Sequence, residues 1–273
     1  MSHLPDAERP ERPTLVTHVG HSEHDEHHFR GYRVFEELAG REPFWTYASL
    51  AVGGPRVDAA MCGVLDDLTA CVLAADARIP PPKLTHFAGA YGGAMATFGT
   101  AYTALDGALL GPWPTRAAAE LLRDLAHEVE GSTADEAAVG AALAPRLVRG
   151  RQLVGFGVPA RKVDERVRAL GRCLEARGRA DGRHWQLLMT AQGVLGRPAN
   201  IAGGVGAVLL DLGYEPRQAP FMTSCFVVPT LLAHAIEAAE TQAEILRHIP
   251  EAWVDYVGEG PRPSPRALAA AKG

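Results

Sequence analysis

Apolar side chains recur at helical spacing along most of the chain. In the segment 57–75 they fall three or four residues apart, as they do on one face of an α-helix: Met61, Val64, Leu65, Leu68 and Val72. The same spacing predicts helices over 115–130, 162–177, 184–195, 201–212 and 228–248. A further helix is predicted over 90–110, where small residues and almost no charge favour a buried core helix.

Some segments interrupt this helical pattern. The prolines at 80–82 follow the first predicted helix, and because no helix crosses them intact we expect a short, stiff connector there. Residues 15–32 lack a helical stripe and predict short strands or an irregular hairpin, while the polar, proline-rich residues 1–13 predict a mobile arm. Ser132 is predicted to cap the helix that follows it. The predicted fold class is all-α with a short irregular or β N-terminal segment.

The composition is that of a soluble globular protein. The chain has 273 residues, 47% hydrophobic and 22% charged, which suits one large or two modest domains. A net charge of -5 argues against nucleic acid as a partner. The four cysteines form no C-x-x-C pair and the N-terminus is not signal-like, so we expect a cytoplasmic protein. The most apolar stretch, 221–236, is interrupted by polar residues and Pro229, so no membrane span is expected.

A glycine-rich turn at 148–159, V-R-G-R-Q-L-V-G-F-G-V-P, lies between two predicted helices. Arg149 and Arg151 lie in it, and Arg161 and Lys162 follow. Glycines let backbone N–H groups approach a phosphate, and the basic side chains supply charge, so the segment could cradle an anion. The alternative is an ordinary helix–helix loop with a solvated basic rim.

This segment resembles the citrate synthase superfamily, especially its citryl-CoA lyase-like branch. The branch has the pattern G-F-G-H-P-x-x-K-x-x-D-P-R, and residues 155–166 read G-F-G-V-P-A-R-K-V-D-E-R. Five further blocks resemble family motifs and follow one another in the family's order. Residues 30–32 resemble R-G-Y, 107–117 resemble G-A-L-x-G-P-L-H-G-G-A, and 199–203 resemble P-N-V-D-G. Residues 233–237 resemble A-H-x-x-E, and 255–258 resemble Y-V-G. Together the blocks cover about residues 30 to 260.

The resemblance implies an all-α, two-domain fold that dimerises and holds a thioester in the cleft between its domains. The large domain would comprise 14–117 and 213–273, and the small domain 118–212. The ligand implied is a coenzyme A ester. The residues implied to meet its pyrophosphate and adenine are the glycine-rich loop and its basic rim: Arg149, Arg151, Gly155, Phe156, Gly157, Arg161 and Lys162.

Three positions that carry the family's chemistry are changed here. The histidine of L-H-G-G-A and the aspartate of P-N-V-D activate the α-carbon in the family, and the histidine of G-F-G-H serves the carbonyl partner. This chain has Pro114, Ala202 and Val158 at those positions. Enolisation needs a base and a donor on the thioester oxygen, each contributing about 10²- to 10⁴-fold, and none of the three can supply either. Citrate formation or citryl-CoA cleavage is therefore not expected.

Other substrate positions differ as well. The histidines of the family's H-A-D-H motif become Ala74 and Ala77, which leaves Asp76, and a substrate arginine becomes Val227. Arg166 is the one carboxylate-binding arginine of the family that can be placed, and the resemblance assigns it a substrate carboxylate. The alternative interpretation of Arg166 is a surface helix arginine.

Replacement chemistry would need new polar groups in the cleft. The candidates for catalytic groups are Asp76, His86 and His28. In the alternative interpretation, Asp76 is an N-terminal or inter-helix hydrogen-bond acceptor, and the two histidines are core or surface residues whose hydrogen bonds are satisfied. Further candidates of the same kind are Tyr91, His184 and Cys225.

A histidine-rich run near the N-terminus has no explanation in the resemblance. His18, His21, His24 and His27 recur every third residue with acidic residues between them, a donor set that suits Zn²⁺ or Fe²⁺. The preferred interpretation is a flexible histidine-rich segment with no metal.

Three functional hypotheses follow. The first is a diverged enzyme that binds an acyl-CoA ester and makes or breaks a C–C or thioester bond of a non-citrate substrate. The second is a non-catalytic CoA-ester-binding paralogue, or a partner subunit of an active homologue. The third is a metal-dependent lyase or hydrolase that uses the histidine-rich run. We expect a homodimer, with a homologous partner subunit as the alternative under the second hypothesis, and neither nucleic acid nor membrane as a partner.

Overall fold

The computed structural model describes residues 16–73, 76–106, 111–129, 132–147, 152–158, 162–241 and 250–260, and also residues 262, 264 and 266. The predicted arm at 1–13, the changed position Ala74 and the basic residues Arg149, Arg151 and Arg161 lie outside the described residues.

Helices dominate the described residues, which confirms the all-α fold class. In chain order they are α1 (Phe44–Val52), α2 (Ala59–Val72), α3 (Pro80–Gly89), α4 (Ala94–Thr103), α5 (Trp113–Glu128), α6 (Glu136–Leu143), α7 (Glu165–Ala176), α8 (Arg183–Leu195), α9 (Ile201–Asp211) and α10 (Ala219–Glu240). The helices predicted over 57–75, 115–130, 162–177, 184–195 and 201–212 all form, with ends that shift by a few residues.

A small antiparallel sheet precedes the helices, as the absence of a helical stripe predicted. Its strands are β1 (Gly20–Ser22), β2 (His27–Phe29) and β3 (Tyr32–Arg33), in the order β1-β2-β3. Arg30 and Gly31 join β2 to β3 with φ values of 51° and 87°, the left-handed backbone of a tight hairpin turn. Arg30 Nη2 donates to the carbonyl oxygen of Ala51 at 2.7 Å, which ties the sheet to the end of α1.

Helix α9 lies at the centre of the core, and residues 203–209 are all buried. It packs against α5, α7 and α8. Small residues allow the close approach to α5: a Cβ atom at Gly206 would lie 3.2 Å from the carbonyl oxygen of Thr115 and 3.1 Å from the backbone nitrogen of Ala119. The glycine-rich sequence of α9 therefore reflects backbone-to-backbone packing.

Helix α10 packs against α2, α3, α4 and α5 and starts nine residues before the predicted start at 228. Pro220 fits in its first turn, where the backbone N–H groups have no helical partner. Thr223 and Ser224 donate their hydroxyl hydrogens to carbonyl oxygens one turn earlier, at 2.7 and 2.9 Å, so both fit inside a helix. By length and composition α10 is the one described helix that could span a membrane, but half of its most apolar window is buried inside the protein. A core helix passes the same test.

Three local predictions were wrong. The prolines 80–82 form the first turn of α3 instead of a connector, because proline is tolerated where backbone N–H groups are free. Helix α4 covers only part of 90–110 and is not fully buried: Met95 and Tyr102 are exposed, whereas Thr97 and Ala101 are buried. Asp135, not Ser132, caps the next helix, and its carboxylate accepts from the backbone of Ala137 and Ala138.

The close approach of α9 to the Gly155–Gly157 loop can be tested by substitution. A methyl group at Gly203 would lie 2.6 Å from the carbonyl oxygen of Gly155 and 3.0 Å from Leu188 Cδ1. We expect Gly203→Ala to lower the free energy of unfolding by about 1–3 kcal/mol, measured by urea denaturation. The matched control is Gly193→Ala on the exposed side of α8, which should raise that free energy by up to about 1 kcal/mol through helix propensity. Equal effects in the two variants would contradict the tight packing.

Candidate functional site

The Gly155–Gly157 loop and the segment before α9 form one structural unit. The backbone N–H of Gly157 donates to the Pro198 carbonyl oxygen at 2.7 Å, and that of Asn200 donates to the Gly155 carbonyl oxygen at 2.9 Å. The Asn200 amide donates to the Gly157 carbonyl oxygen at 3.1 Å and also caps α9. Two motif blocks that are distant in sequence are thereby brought side by side.

Asp164 joins the starts of two helices. It caps α7, and its carboxylate also accepts the backbone N–H of Ile201 at 2.9 Å, in the first turn of α9. Arg166 completes the arrangement, because its Nε and Nη2 donate to the two carboxylate oxygens at 2.9 and 2.8 Å. The positive ends of the α7 and α9 dipoles thus meet beside a guanidinium group, which favours a bound anion.

The pKa of Asp164 reflects this environment. Burial by itself would raise the pKa of this carboxyl. The hydrogen bonds and positive charge of Arg166, together with the backbone N–H groups of Arg166 and Ile201, lower it, and the net pKa lies below the usual value for aspartate. The carboxylate is therefore ionised at neutral pH and holds the Arg166 side chain, which is 40% exposed, at the protein surface.

The three changed positions adjoin this unit. A Cβ atom at Gly155 would lie 3.3 Å from the Cβ of Ala118 in α5, so the loop touches that helix. Pro114 lies one helical turn before Ala118 and on the same face, while Ala202 and Val158 directly adjoin the paired loop and α9 segments. All three are half-buried. None of the three has a group that can transfer a proton.

Of the residues expected to bind the cofactor, the loop is described in full. Gly155 and Phe156 are buried, and Phe156 is only 5% exposed and packs in the main hydrophobic core. Gly157 is half-buried with a φ of 86°, and Lys162 is exposed just before α7. Phe156 therefore anchors the loop from inside, while Gly157 and Lys162 lie where a ligand could reach them.

The proposed replacement groups lie on other elements. Asp76 lies in the exposed turn before α3, and Arg78 donates to both of its carboxylate oxygens. His86 lies on α3, with its Nε2 3.2 Å from Nδ1 of His234 on α10. His28, on β2, stacks on His21. No hydrogen bond or ion pair in the described part of the chain joins His28 or His86 to the loop, and their catalytic roles stay predictions.

The remaining candidates do not form an acid–base set either. His184 Nδ1 lies 2.7 Å from the Asp211 carboxylate. The same carboxylate accepts the backbone N–H groups of His184 and Trp185 at the start of α8, each at 2.9 Å. Burial raises the pKa of the Cys225 thiol, which disfavours the thiolate. Tyr91 is 85% exposed in the turn between α3 and α4.

Two groups of side chains in the described residues could hold a metal ion. One consists of His21, Glu23 and His28 at the N-terminal sheet, while His18, His24 and His27 lie outside it. The histidine-rich run therefore brings only part of its side chains together. The second group consists of His86, His234 and Glu237.

Sequence reasoning missed two residues that build the site. Asn200 and Asp164 each directly precede a helix, which is the position where Asn and Asp cap helix starts. That local signal was available. The second bond that each residue makes, to another element, has no signal in the sequence.

Comparison with known proteins gives matches among solved structures. No family model matches the sequence, and no curated protein matches it. Citryl-CoA lyase from Hydrogenobacter thermophilus matches with a TM-score of 0.76 and 19% identity, over 94% of this chain and 100% of that chain. ATP citrate lyase from Methanothrix soehngenii, solved with citrate and coenzyme A, matches with a TM-score of 0.69 and 15% identity, over 96% of this chain and 44% of that chain.

Citrate synthase from the archaeon Thermoplasma acidophilum, solved with carboxymethyl coenzyme A and oxaloacetate, also matches. The TM-score is 0.53 and the identity 17%, over 79% of this chain and 57% of that chain. The chain therefore has the citrate synthase-like helical fold, and its resemblance to the citryl-CoA lyase-like branch is confirmed as a likeness of fold.

The role of Asp164 predicts a pH-dependent stability. We expect Asp164→Asn to lower the free energy of unfolding by about 1–3 kcal/mol at pH 7, because an amide cannot accept all the hydrogen bonds that the carboxylate accepts. Since the folded pKa is depressed, the carboxylate stabilises the fold above its unfolded pKa of about 4, and this contribution is lost as the pH falls through the folded pKa. Denaturant unfolding between neutral and acidic pH measures both effects.

The matched control for this variant is Asp135→Asn. Asp135 caps α6 at an exposed position, where asparagine caps equally well, so the change should stay within about 0.5 kcal/mol. The assigned role would be contradicted by an equal loss of unfolding free energy in both variants. It would also be contradicted if Asp164→Asn lost stability towards acidic pH in the same way as the wild type.

Proposed function

We propose that this protein binds an acyl-CoA ester beside the Gly155–Gly157 loop and acts on a C–C or thioester bond of a substrate other than citrate. The observation that carries the proposal is the hydrogen-bonded loop unit with Arg166 held beside it. The resemblance adds that Pro114, Val158 and Ala202 stand at the family's proton-transfer positions. The neighbours of known structure include an ATP citrate lyase solved with citrate and coenzyme A and a citrate synthase solved with carboxymethyl coenzyme A and oxaloacetate. The fold match supports a related ligand here.

Arg166 supplies the site for an acidic group on that ester. Asp164 occupies the Nε and Nη2 edge of the guanidinium, and Nη1 has no hydrogen-bond partner among the described residues. A guanidinium binds carboxylates strongly through its paired N–H groups, and the two helix N-termini add positive potential. An ester with a free carboxylate therefore fits this position better than an acetyl ester.

Pro114, Val158 and Ala202 have no acid–base group, so they could not support the family's enolisation route at the positions that the resemblance assigns to it. Removing one catalytic base or one oxyanion donor typically costs about 10²- to 10⁴-fold in rate. The reaction we propose thus relies on other groups, with Asp76, His86 and His28 as the predicted candidates. Arg149, Arg151 and Arg161 are the further residues predicted to bind the CoA phosphates.

A non-catalytic CoA-ester-binding paralogue is the second candidate. It is supported by Pro114, Val158 and Ala202 beside the loop, because none of these three residues has a group that can transfer a proton. Such a protein would act as a sensor or pair with an active homologue. Turnover of a bound ester by the homodimer would exclude it, and a second citrate synthase-like chain in the purified complex would support it.

A metal-dependent lyase or hydrolase that uses the N-terminal histidines is the third candidate. His21 Nε2 and His28 Nε2 lie 3.3 and 3.4 Å from the same Glu23 carboxylate oxygen, which gathers three potential ligands. The side chains of His21 and Glu23 are 64% and 61% exposed, so water competes for each of them. Stoichiometric metal in untagged protein would support this candidate.

We also propose a homodimer through the face formed by α3, α4 and α10. Helix α4 has no charged residue, although most of its positions are exposed, including Met95 and Tyr102. On α10, the exposed Leu232 and Ile236 lie one turn apart on one face. An exposed surface without charge is unusual on a monomer and typical of an interface.

The compartment we propose is the cytoplasm. All four cysteines are free in the structure. Burial, followed by the neighbouring Cys173, raises the pKa of Cys71 to about 11, so its thiol is protonated at neutral pH. Free, protonated thiols suit a reducing environment.

Calorimetric titration of the untagged protein tests the ligand. We expect CoA and acyl-CoA esters to bind, and an ester with a free carboxylate to bind more tightly than acetyl-CoA. Arg166→Lys keeps the charge beside Asp164 but loses the planar fork, so it should weaken binding of the carboxylate ester about tenfold and leave CoA binding unchanged.

Arg168→Lys, at an exposed position of the same helix, is the matched control and should change neither affinity. Absence of binding by every ester at millimolar concentration would overturn the proposal. Equal affinities for acetyl-CoA and the carboxylate ester would contradict the proposed role of Arg166 but not the binding of CoA esters.

The dimer proposal is tested by light scattering coupled to size-exclusion chromatography. We expect twice the chain mass for the wild type and the mass of one chain for the double variant Leu232→Glu/Ile236→Glu, because two buried carboxylates per chain would be left unpaired at the interface. Phe35→Glu places the same charge at another exposed apolar residue, 55% exposed, and should remain dimeric. A monomeric wild type would contradict the proposal.

A further inference from the structure

The His86–His234 pair lies between α3 and α10, away from the loop unit. His86 Nε2 is 3.2 Å from His234 Nδ1, and the two rings meet at 70° with their centroids 5.3 Å apart. His234 is 8% exposed and His86 is half-buried. The two nitrogens therefore lie close together in a mostly buried position near the protein surface.

Glu237 adds a carboxylate to the pair. It lies three residues after His234 on α10 and so projects from the same side of the helix. A carboxylate oxygen of Glu237 and one nitrogen of each imidazole all lie within 4.8 Å of one another. Because Glu237 is exposed, an ion could reach this group from solvent.

The distances suit a shared metal ion. Zn²⁺ binds imidazole nitrogens at about 2.0–2.1 Å in tetrahedral geometry, which places two ligand nitrogens about 3.3–3.4 Å apart. The observed 3.2 Å between His86 Nε2 and His234 Nδ1 is close to that value. A direct hydrogen bond between the two rings would explain the same distance, but it would not explain why the Glu237 carboxylate lies beside them.

The scaffold under these ligands is rigid. A Cβ atom at Gly89 would lie 2.4 Å from the Cβ of Ala238, so α3 and α10 are in backbone contact one turn from the ligands. Thr85, beside His86, is fully buried and donates its hydroxyl hydrogen to the Pro81 carbonyl oxygen. Ligands on two packed helices lose little freedom when they bind an ion, unlike the exposed side chains of the N-terminal group.

We propose that His86 Nε2, His234 Nδ1 and the Glu237 carboxylate form a binding site for one divalent transition-metal ion of the Zn²⁺ class. Two imidazoles and one carboxylate suit zinc, cobalt or ferrous iron better than magnesium or calcium, which prefer all-oxygen sites. A water molecule completes the tetrahedron on the exposed side. The ion joins α3 to α10 and stabilises that helix pair.

Zinc titration of the full-length, untagged, chelator-treated protein against a chromogenic chelator tests the site. The parent protein carries His21→Gln and His28→Gln, so that the N-terminal group does not contribute. We expect one Zn²⁺ per chain with a sub-micromolar Kd. His86→Gln and Glu237→Gln should each weaken binding by more than about 100-fold, beyond the 10- to 100-fold typical of losing an outer partner.

His127→Gln removes an exposed histidine at the end of α5 and is the matched control, expected to bind zinc as the parent does. Two further readouts use the same proteins: the tetrahedral Co²⁺ absorption spectrum, and the increase in Tm on adding zinc. Both should be present in the parent and control and absent in His86→Gln. No stoichiometric binding by the parent, or equal affinity in parent and Glu237→Gln, would overturn the proposal.

Discussion

The carboxylate of Asp164 is the constraint on which the candidate site depends. It is 1% exposed, yet it stays ionised because the Arg166 guanidinium and the first N–H groups of α7 and α9 all donate to it. A buried carboxylate without these partners would cost several kcal/mol, so the helix starts and the arginine together compensate for its burial. The same bonds fix where Arg166 emerges at the surface. The position of the proposed carboxylate-binding group is thus a consequence of how two helices are capped.

The structure separates scaffold from chemistry. The backbone pairing between the Gly155–Gly157 loop and the residues before α9 needs glycines and an asparagine, and these are present. Proton transfer at the adjoining positions needs imidazole or carboxylate groups, and Pro114, Val158 and Ala202 have none. At these positions the described residues therefore provide the backbone arrangement of the loop without a group for proton transfer.

Helices α3, α4 and α10 form a unit with properties of its own. The outward surface of α4 is uncharged, which core packing within one chain does not require. Between α3 and α10, the half-buried His86, the buried His234 and the exposed Glu237 each bring one ligand atom within 4.8 Å of the others. The N-terminal group His21, Glu23 and His28 has similar donors but lies exposed on short strands. Burial and backbone rigidity therefore distinguish the two groups more than ligand type does.

The sequence alone determined the all-α class, most helices, the N-terminal strands and the resemblance that located the loop, because periodic apolar residues and short motifs are local signals. It misplaced the ends of α4 and missed α3, since burial of α4 depends on which face finds a partner and proline breaks a helix only in its interior. Only the tertiary structure decided that Asp164 reaches Ile201, that the loop pairs with the residues before α9, and that His86 meets His234 across 148 residues. Such pairings depend on how packed helices are placed in space, and spacing along the chain carries no information about that.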